Sequence, residues 1–262
     1  MKYLNDVSYK DCVGKVLKSK NFGKFKILKY NDNRNVDIQF INTGFETTVQ
    51  LVQVRSGEVK DPYSPSVCGV GILGTKYPST VNSRNTKEYA LWQRMLERCY
   101  SDTNVCNDYK KKNPTYVGCE ASENFKSYEY FYEWCHKQIG FGVDGFELDK
   151  DLLLKGNKVY SENTCVFIPA EINLLLIKRK ASRGKHLIGV SWCKRDKVFR
   201  AMVSRNKGKQ EHLGSFNTEI EAFNAYKQAK ESFIKEQANK WKGKIDDRAY
   251  NALMNYEVDI DD

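Results

Sequence analysis

The stretch from residue 188 to 241 constrains this chain most. Three short runs come first: Ile188-Gly189-Val190-Ser191-Trp192, then Val198-Phe199-Arg200-Ala201-Met202-Val203-Ser204, then Glu211-His212-Leu213-Gly214-Ser215-Phe216. Each is short and rich in alternating apolar and polar residues, which is the pattern of half-buried strands. One long helical pattern follows over 219–241, opened by Asn217 or Thr218 as a cap, with Glu219 and Glu221 in its first turn. Period two divides the middle strand, with Phe199, Ala201 and Val203 on one side and Arg200, Met202 and Ser204 on the other. The helix carries Ala222, Phe223, Ala225, Tyr226 and Ala229, small and aromatic residues that allow close packing. It is therefore expected on the Phe199 face, leaving the other face open and basic.

Charge says what such a face could meet. The 262 residues carry a formal net charge of +10, and within 178–209 Asp196 is the only acidic residue. A surplus so concentrated favours a polyanion, because every phosphate neutralised releases counterions. A membrane-spanning helix is excluded, since no run of about 18 apolar residues exists. The opening MKYLNDVSYKDC has no apolar core, so no secretion signal is expected. The eight cysteines form no C-x-x-C pair and are expected as reduced, largely core thiols. A zinc site from Cys99, Cys106, Cys119 and His136 matches no usual spacing, so no zinc is expected.

The rest of the chain divides by pattern. Residues 1–60 hold short alternating runs at 25–27, 36–40 and 47–51, separated by Asn- and Gly-bearing turns, and predict a small β barrel. Residues 61–85 bear prolines and glycines and read as a linker. Tyr89, Trp92, Met95, Leu96 and Cys99 fall on one helical face, and a second helix is expected over 122–137. The acidic end 257–262 reads as solvated.

Residues 146–176 (FELDKDLLLKGNKVYSENTCVFIPAEINLLL) read as strand, Gly156-Asn157 turn, strand and helix. This order resembles the ββα-metal core of HNH homing endonucleases, and WQRMLERCY followed by FYEWC resembles that family's lead-in. The resemblance implies Asp149 and Asn173 as ligands of Mg²⁺ or Mn²⁺, with Asn163 bracing the loop. Where the family has its general-base histidine, this chain has Lys150, protonated at neutral pH and unable to accept a proton. Lys150 would instead stabilise phosphate charge, and the base would come from Asp151, Glu147 or a metal-bound hydroxide.

The 188–241 segment, with IGVSW, FRAMV and HLGSFNTEIEAFNAYKQA, resembles the Apetala or ethylene-response-factor DNA-binding domain, which such phage endonucleases carry C-terminally. The resemblance implies that the open sheet face enters the major groove through Ser191, Cys193, Arg195, Arg200, Met202, Ser204, Gln210 and His212. Lys194, Lys197, Arg205, Lys207 and Lys209 would meet phosphates. Together these readings predict an α+β protein. Its parts are a small β-barrel-like domain (1–60), a linker (61–85), an HNH-like core with helical lead-in (86–180), an Apetala-like domain built of a three-stranded antiparallel sheet packed on one helix (181–245) and an acidic tail (246–262). The function expected is metal-dependent endonuclease or nickase activity on double-stranded DNA, in a phage-encoded protein of the bacterial cytoplasm. The alternatives are a catalytically inactive DNA-binding regulator or anti-host protein, and an RNA or protein binder using the N-terminal barrel.

Overall fold

The computed structural model describes residues 12–100, 116–177, 184–206 and 209–262. The chain is a mixed α+β protein of two compact units: one runs through Cys135 and takes in Val159–Ser161, and the other comprises His136–Lys158 and Glu162–Asp262.

In the first unit β1 (Val16–Lys18), β2 (Lys24–Asp32), β3 (Asn35–Phe40) and β4 (Glu46–Val49) form an antiparallel meander in sequence order. Phe25 pairs with Phe40 and Ile27 with Ile38, and these four side chains are buried while Lys24 and Lys26 face out. Helix α1 (Leu51–Ser56) adds Leu51 and Val54 to the same core. The expected closed barrel does not form among the described residues. Closure needs strands long enough to tilt and stagger around a ring. Here β1 has three residues and pairs with β2 alone, while β4 has four and turns at Gln50 into α1.

Residues 61–85 are built into this unit, where the sequence suggested a linker. Asp61 is buried, accepting from the Thr43 hydroxyl (2.6 Å) and the Tyr63 amide (2.9 Å). The short hairpin β5 (Thr80–Val81) and β6 (Arg84–Asn85) leads into α2 (Lys87–Tyr100), which buries Trp92, Met95, Leu96 and Cys99, the face expected. Gly71 lies against Trp92 and Leu96, where a β-carbon would collide with the Trp92 ring and one Leu96 methyl. After β7 (Glu120–Ala121), the single helix expected over 122–137 is two. Ser122 caps α3 (Glu123–Lys126), and extended backbone at Ser127 separates it from α4 (Tyr128–His136). The stagger lets the Ile72 amide donate to the Lys126 carbonyl and the Tyr128 amide donate to Ile72 (both 2.9 Å). Phe125, Tyr128, Phe131 and Trp134 are core residues.

In the second unit β8 (Phe146–Asp149) leads towards β9 (Val159–Tyr160), which belongs to the first unit and runs parallel to β7. The chain returns as β10 (Val166–Pro169), antiparallel to β8, and continues into α5 (Ala170–Leu176). Then come β11 (Val190–Cys193), β12 (Val198–Asn206) and β13 (Lys209–Phe216) in sequence order, all antiparallel, followed by α6 (Glu219–Lys240) and α7 (Asp247–Met254). Of the two caps expected, Thr218 is the one used: it accepts from the Glu221 amide, and the Glu221 side chain accepts from the Thr218 amide. At 22 residues α6 is about 33 Å long and serves two cores. Phe223 and Tyr226 pack with Val203, whereas Ile234 and Ala238 pack with Val166, Ile168 and Ile172.

One unit thus holds β8, β10 and α5 together with the three-stranded sheet, where a boundary was expected at 180/181. The expected tail is also part of it. Ala249 and Leu253 of α7 are buried with Ile168 and Ile172, and Val258 is buried beside Tyr226. The Lys227 ammonium donates to the Val258 carbonyl (2.9 Å), the Val258 amide donates to Glu231 (2.8 Å), and Lys155 pairs with Asp259 and Asp262. Within the acidic end Val258 and Asp262 are buried, while Glu257, Asp259 and Asp261 remain exposed.

Candidate nucleic-acid interface

Register decides which side chains share a face of the β11–β13 sheet. Ser191 pairs with Arg200 and Arg200 with Ser215, and Cys193 pairs with Val198, Met202 with His212 and Ser204 with Gln210. Directly opposed residues point to the same side, so these form one continuous face. The other side is covered by α6 at its centre, where Ala201 and Val203 are buried, while Trp192 and Glu211 on that side stay partly exposed. A β-bulge between Ala201 and Met202 leaves Leu213 unpaired, keeping both Leu213 towards the core and His212 towards the open face. Ser191, Ser204, Gln210, His212 and Ser215 are exposed, and Met202 is half-buried.

The β11–β12 turn carries most of the charge. Lys194, Arg195 and Lys197 are exposed there, and Lys197 adopts the left-handed conformation (φ 53°) that reverses the chain. Asp196 gathers the donors around it. Its carboxylate accepts from Arg195 Nε (2.7 Å) and Nη2 (3.2 Å), from Arg200 Nη2 (2.6 Å) and from Cys193 Sγ (3.2 Å). The hydrogen bond from Arg195, then those from Cys193 and Arg200, hold its pKa down to about 2. The sequence marked Asp196 as the lone anion of the basic run but gave it no part.

The two arginines of β12 differ. Arg200 lies on the open face, half-exposed. Arg205 stands on the α6 side, paired with Glu211 (2.7 Å) over the Phe233 ring, because odd positions of β12 turn that way. The phosphate contact expected of Arg205 is therefore not on the open face. Lys207 lies outside the described residues, and Lys209 opens β13 with its side chain outside the description.

The β8–β10–α5 element has the strand–strand–helix order expected, but its polar groups bond to one another and to the backbone. Asp149 Oδ1 accepts from the amides of Asp151 (2.9 Å) and Leu152 (2.7 Å), closing the turn after β8. Burial pushes its pKa up against those two hydrogen bonds. Lys150 is only 4% exposed. Its ammonium donates to Asp151 (2.6 Å) and to the Asn157 carbonyl (2.9 Å), and the Asn157 amide group donates back to the Lys150 carbonyl (2.8 Å). Asn157, not the exposed Asn163, braces the loop. Asn173 donates to Glu147 (2.7 Å), which shares a face of β8 with Asp149.

Each ligand implied for Mg²⁺ or Mn²⁺ already serves the fold, Asp149 Oδ1 accepting from two amides and the Asn173 amide donating to Glu147. Among the described residues there is no group of three or more His, Cys, Asp or Glu side chains that could hold a metal ion. Of the zinc ligands considered, Cys106 lies outside the described residues. No described helix is long and apolar enough to cross a membrane. Comparison of the chain with protein-family models, curated proteins and solved structures gives no match.

Proposed function

We propose that this protein binds double-stranded DNA through the open face of β11–β13, without cleaving it. One observation carries the reading: α6 covers the centre of one side of the sheet, and the other side stays exposed behind a turn bearing Lys194, Arg195 and Lys197. Three strands about 4.8 Å apart span about 10 Å, and a major groove is about 12 Å wide. Arg200, Gln210, Ser191 and Ser204 offer donors to base edges, and the turn lysines meet phosphates. The β8–β10–α5 element supports the sheet through α6 and supplies no chemistry, since Lys150 is enclosed and Asp149 holds a turn.

Fluorescence anisotropy with a random-sequence duplex tests this. Affinity should fall with salt on a log–log slope near −3, from about three or four phosphate contacts at about 0.9 each. A slope near zero overturns the proposal. Supercoiled plasmid incubated with Mg²⁺ or Mn²⁺ should stay intact. Nicking that Asp149→Ala abolishes would establish the endonuclease instead.

A further inference from the structure

Arg195 and Arg200 are the strongest phosphate donors on the turn and face, yet both are already engaged. Arg195 grips Asp196 with two nitrogens, the fork geometry that guanidinium also uses for phosphate. Arg200 gives Nη2 to the second oxygen, and its Nε, shielded from solvent, has no hydrogen-bond partner among the described residues. That guanidinium is thus placed by Asp196 and not by a complete shell of acceptors. We infer that Asp196 is an internal stand-in for a DNA phosphate, holding Arg195 and Arg200 in the unbound protein and exchanging for a backbone phosphate on binding. The inference rests on the DNA-binding reading of this face.

The exchange is accessible because the pair sits in water. The side chain of Arg195 is 83% exposed and that of Asp196 37%, so breaking their ion pair is inexpensive. While it holds, two cations and one anion leave a local surplus of one charge where two would stand without Asp196. A passing polyanion therefore meets a weakened site. A duplex seated over the whole face, with Lys194 and Lys197 also engaged, supplies a phosphate at the right place to take over the donors. Asp196 is a positioning residue that lowers indiscriminate affinity and so sharpens selectivity.

The test compares wild type, Asp196→Asn and Asp196→Glu by anisotropy on random-sequence duplex DNA across a salt series. Heparin serves as a second polyanion, and circular dichroism checks the fold of each variant. Asp196→Asn should bind random duplex and heparin about fivefold more tightly, with a log–log slope steeper by about 0.9. Asp196→Glu should stay near wild type, and placing Arg195→Ala and Arg200→Ala beside Asp196→Asn should remove the gain. If wild type binds DNA and Asp196→Asn binds equally or more weakly at an unchanged slope, the inference falls and the DNA reading stands. If only Asp196→Asn binds, Asp196 blocks the site without yielding to a phosphate, and both the exchange and the DNA reading of the native chain fall. If neither binds DNA or heparin, both fall.

Discussion

Strands β8 and β12 lie in the same unit, and both place charged side chains by the same period of two, yet they use them differently. Around β8 the polar groups close on the protein itself: Asp149 on backbone amides, Lys150 on Asn157, Asn173 on Glu147. On β12 the helix-facing side is apolar apart from Arg205, and the charges of the other side remain in water around Asp196. A motif spacing tells where a residue stands. Whether its polar atoms are left over for a ligand depends on what the local loop needs, and that is a property of the closed structure.

Four measurements can break or sharpen this contrast. The largest effect should come from Lys150→Met, which strands the Asn157 carbonyl and unbalances Asp151. Urea unfolding should show a loss of about 2–3 kcal/mol with little change in DNA affinity. If stability holds and affinity drops instead, Lys150 faces a ligand and the contrast fails. Next, Val203→Ala should cost about 2 kcal/mol in the same assay, while Ser204→Ala on the opposite face stays within about 0.5 kcal/mol. Equal effects would mean that both faces are covered.

Arg200→Ala should weaken duplex binding about tenfold, or about 1.4 kcal/mol. Arg205→Ala, on the helix side, should change it by less than about twofold. Reversed effects would put the interface on the wrong face. The smallest shift concerns Asp149. Burial raises its folded-state pKa, so its contribution to stability is fully present below the unfolded value and is lost as pH rises through the folded one. Asp149→Asn keeps an acceptor for both amides, so it should raise the unfolding midpoint at pH 7 while leaving that at pH 4 nearly unchanged. A large loss at pH 7 would show that the charge itself is required there.

Much of the second unit was legible because it is locally encoded. The three strands, the Thr218 cap and the apolar stripe of α6 each follow from residues within a few positions of one another. The strand–strand–helix order at 146–176 was legible for the same reason. What escaped is non-local. Residues 61–85 lack periodicity and read as a linker, but Glu129, more than fifty positions away, accepts from the amides of Thr75 and Lys76. The split at Ser127 is set by Ile72, and the end of the chain is held by Lys155, Lys227 and Glu231. The face of Arg205 was available from period two and was obscured by reading its charge alone. The inward turn of Lys150 was not available, since it depends on how the loop to Asn157 closes.

The three residues Val159–Ser161 have a consequence for how the chain can be made and cut. They complete the first unit by pairing β9 with β7, yet they fall between β8 and β10 of the second. No single cleavage releases both units whole: a cut after Cys135 leaves the first without β9, and a cut after Ser161 leaves the second without β8. On the ribosome β8 emerges before the first unit can be finished, and it waits without β10 until Ser161 has passed. Fraying of β9 would slacken the chain on both sides at once, so the two units should melt as a single calorimetric transition.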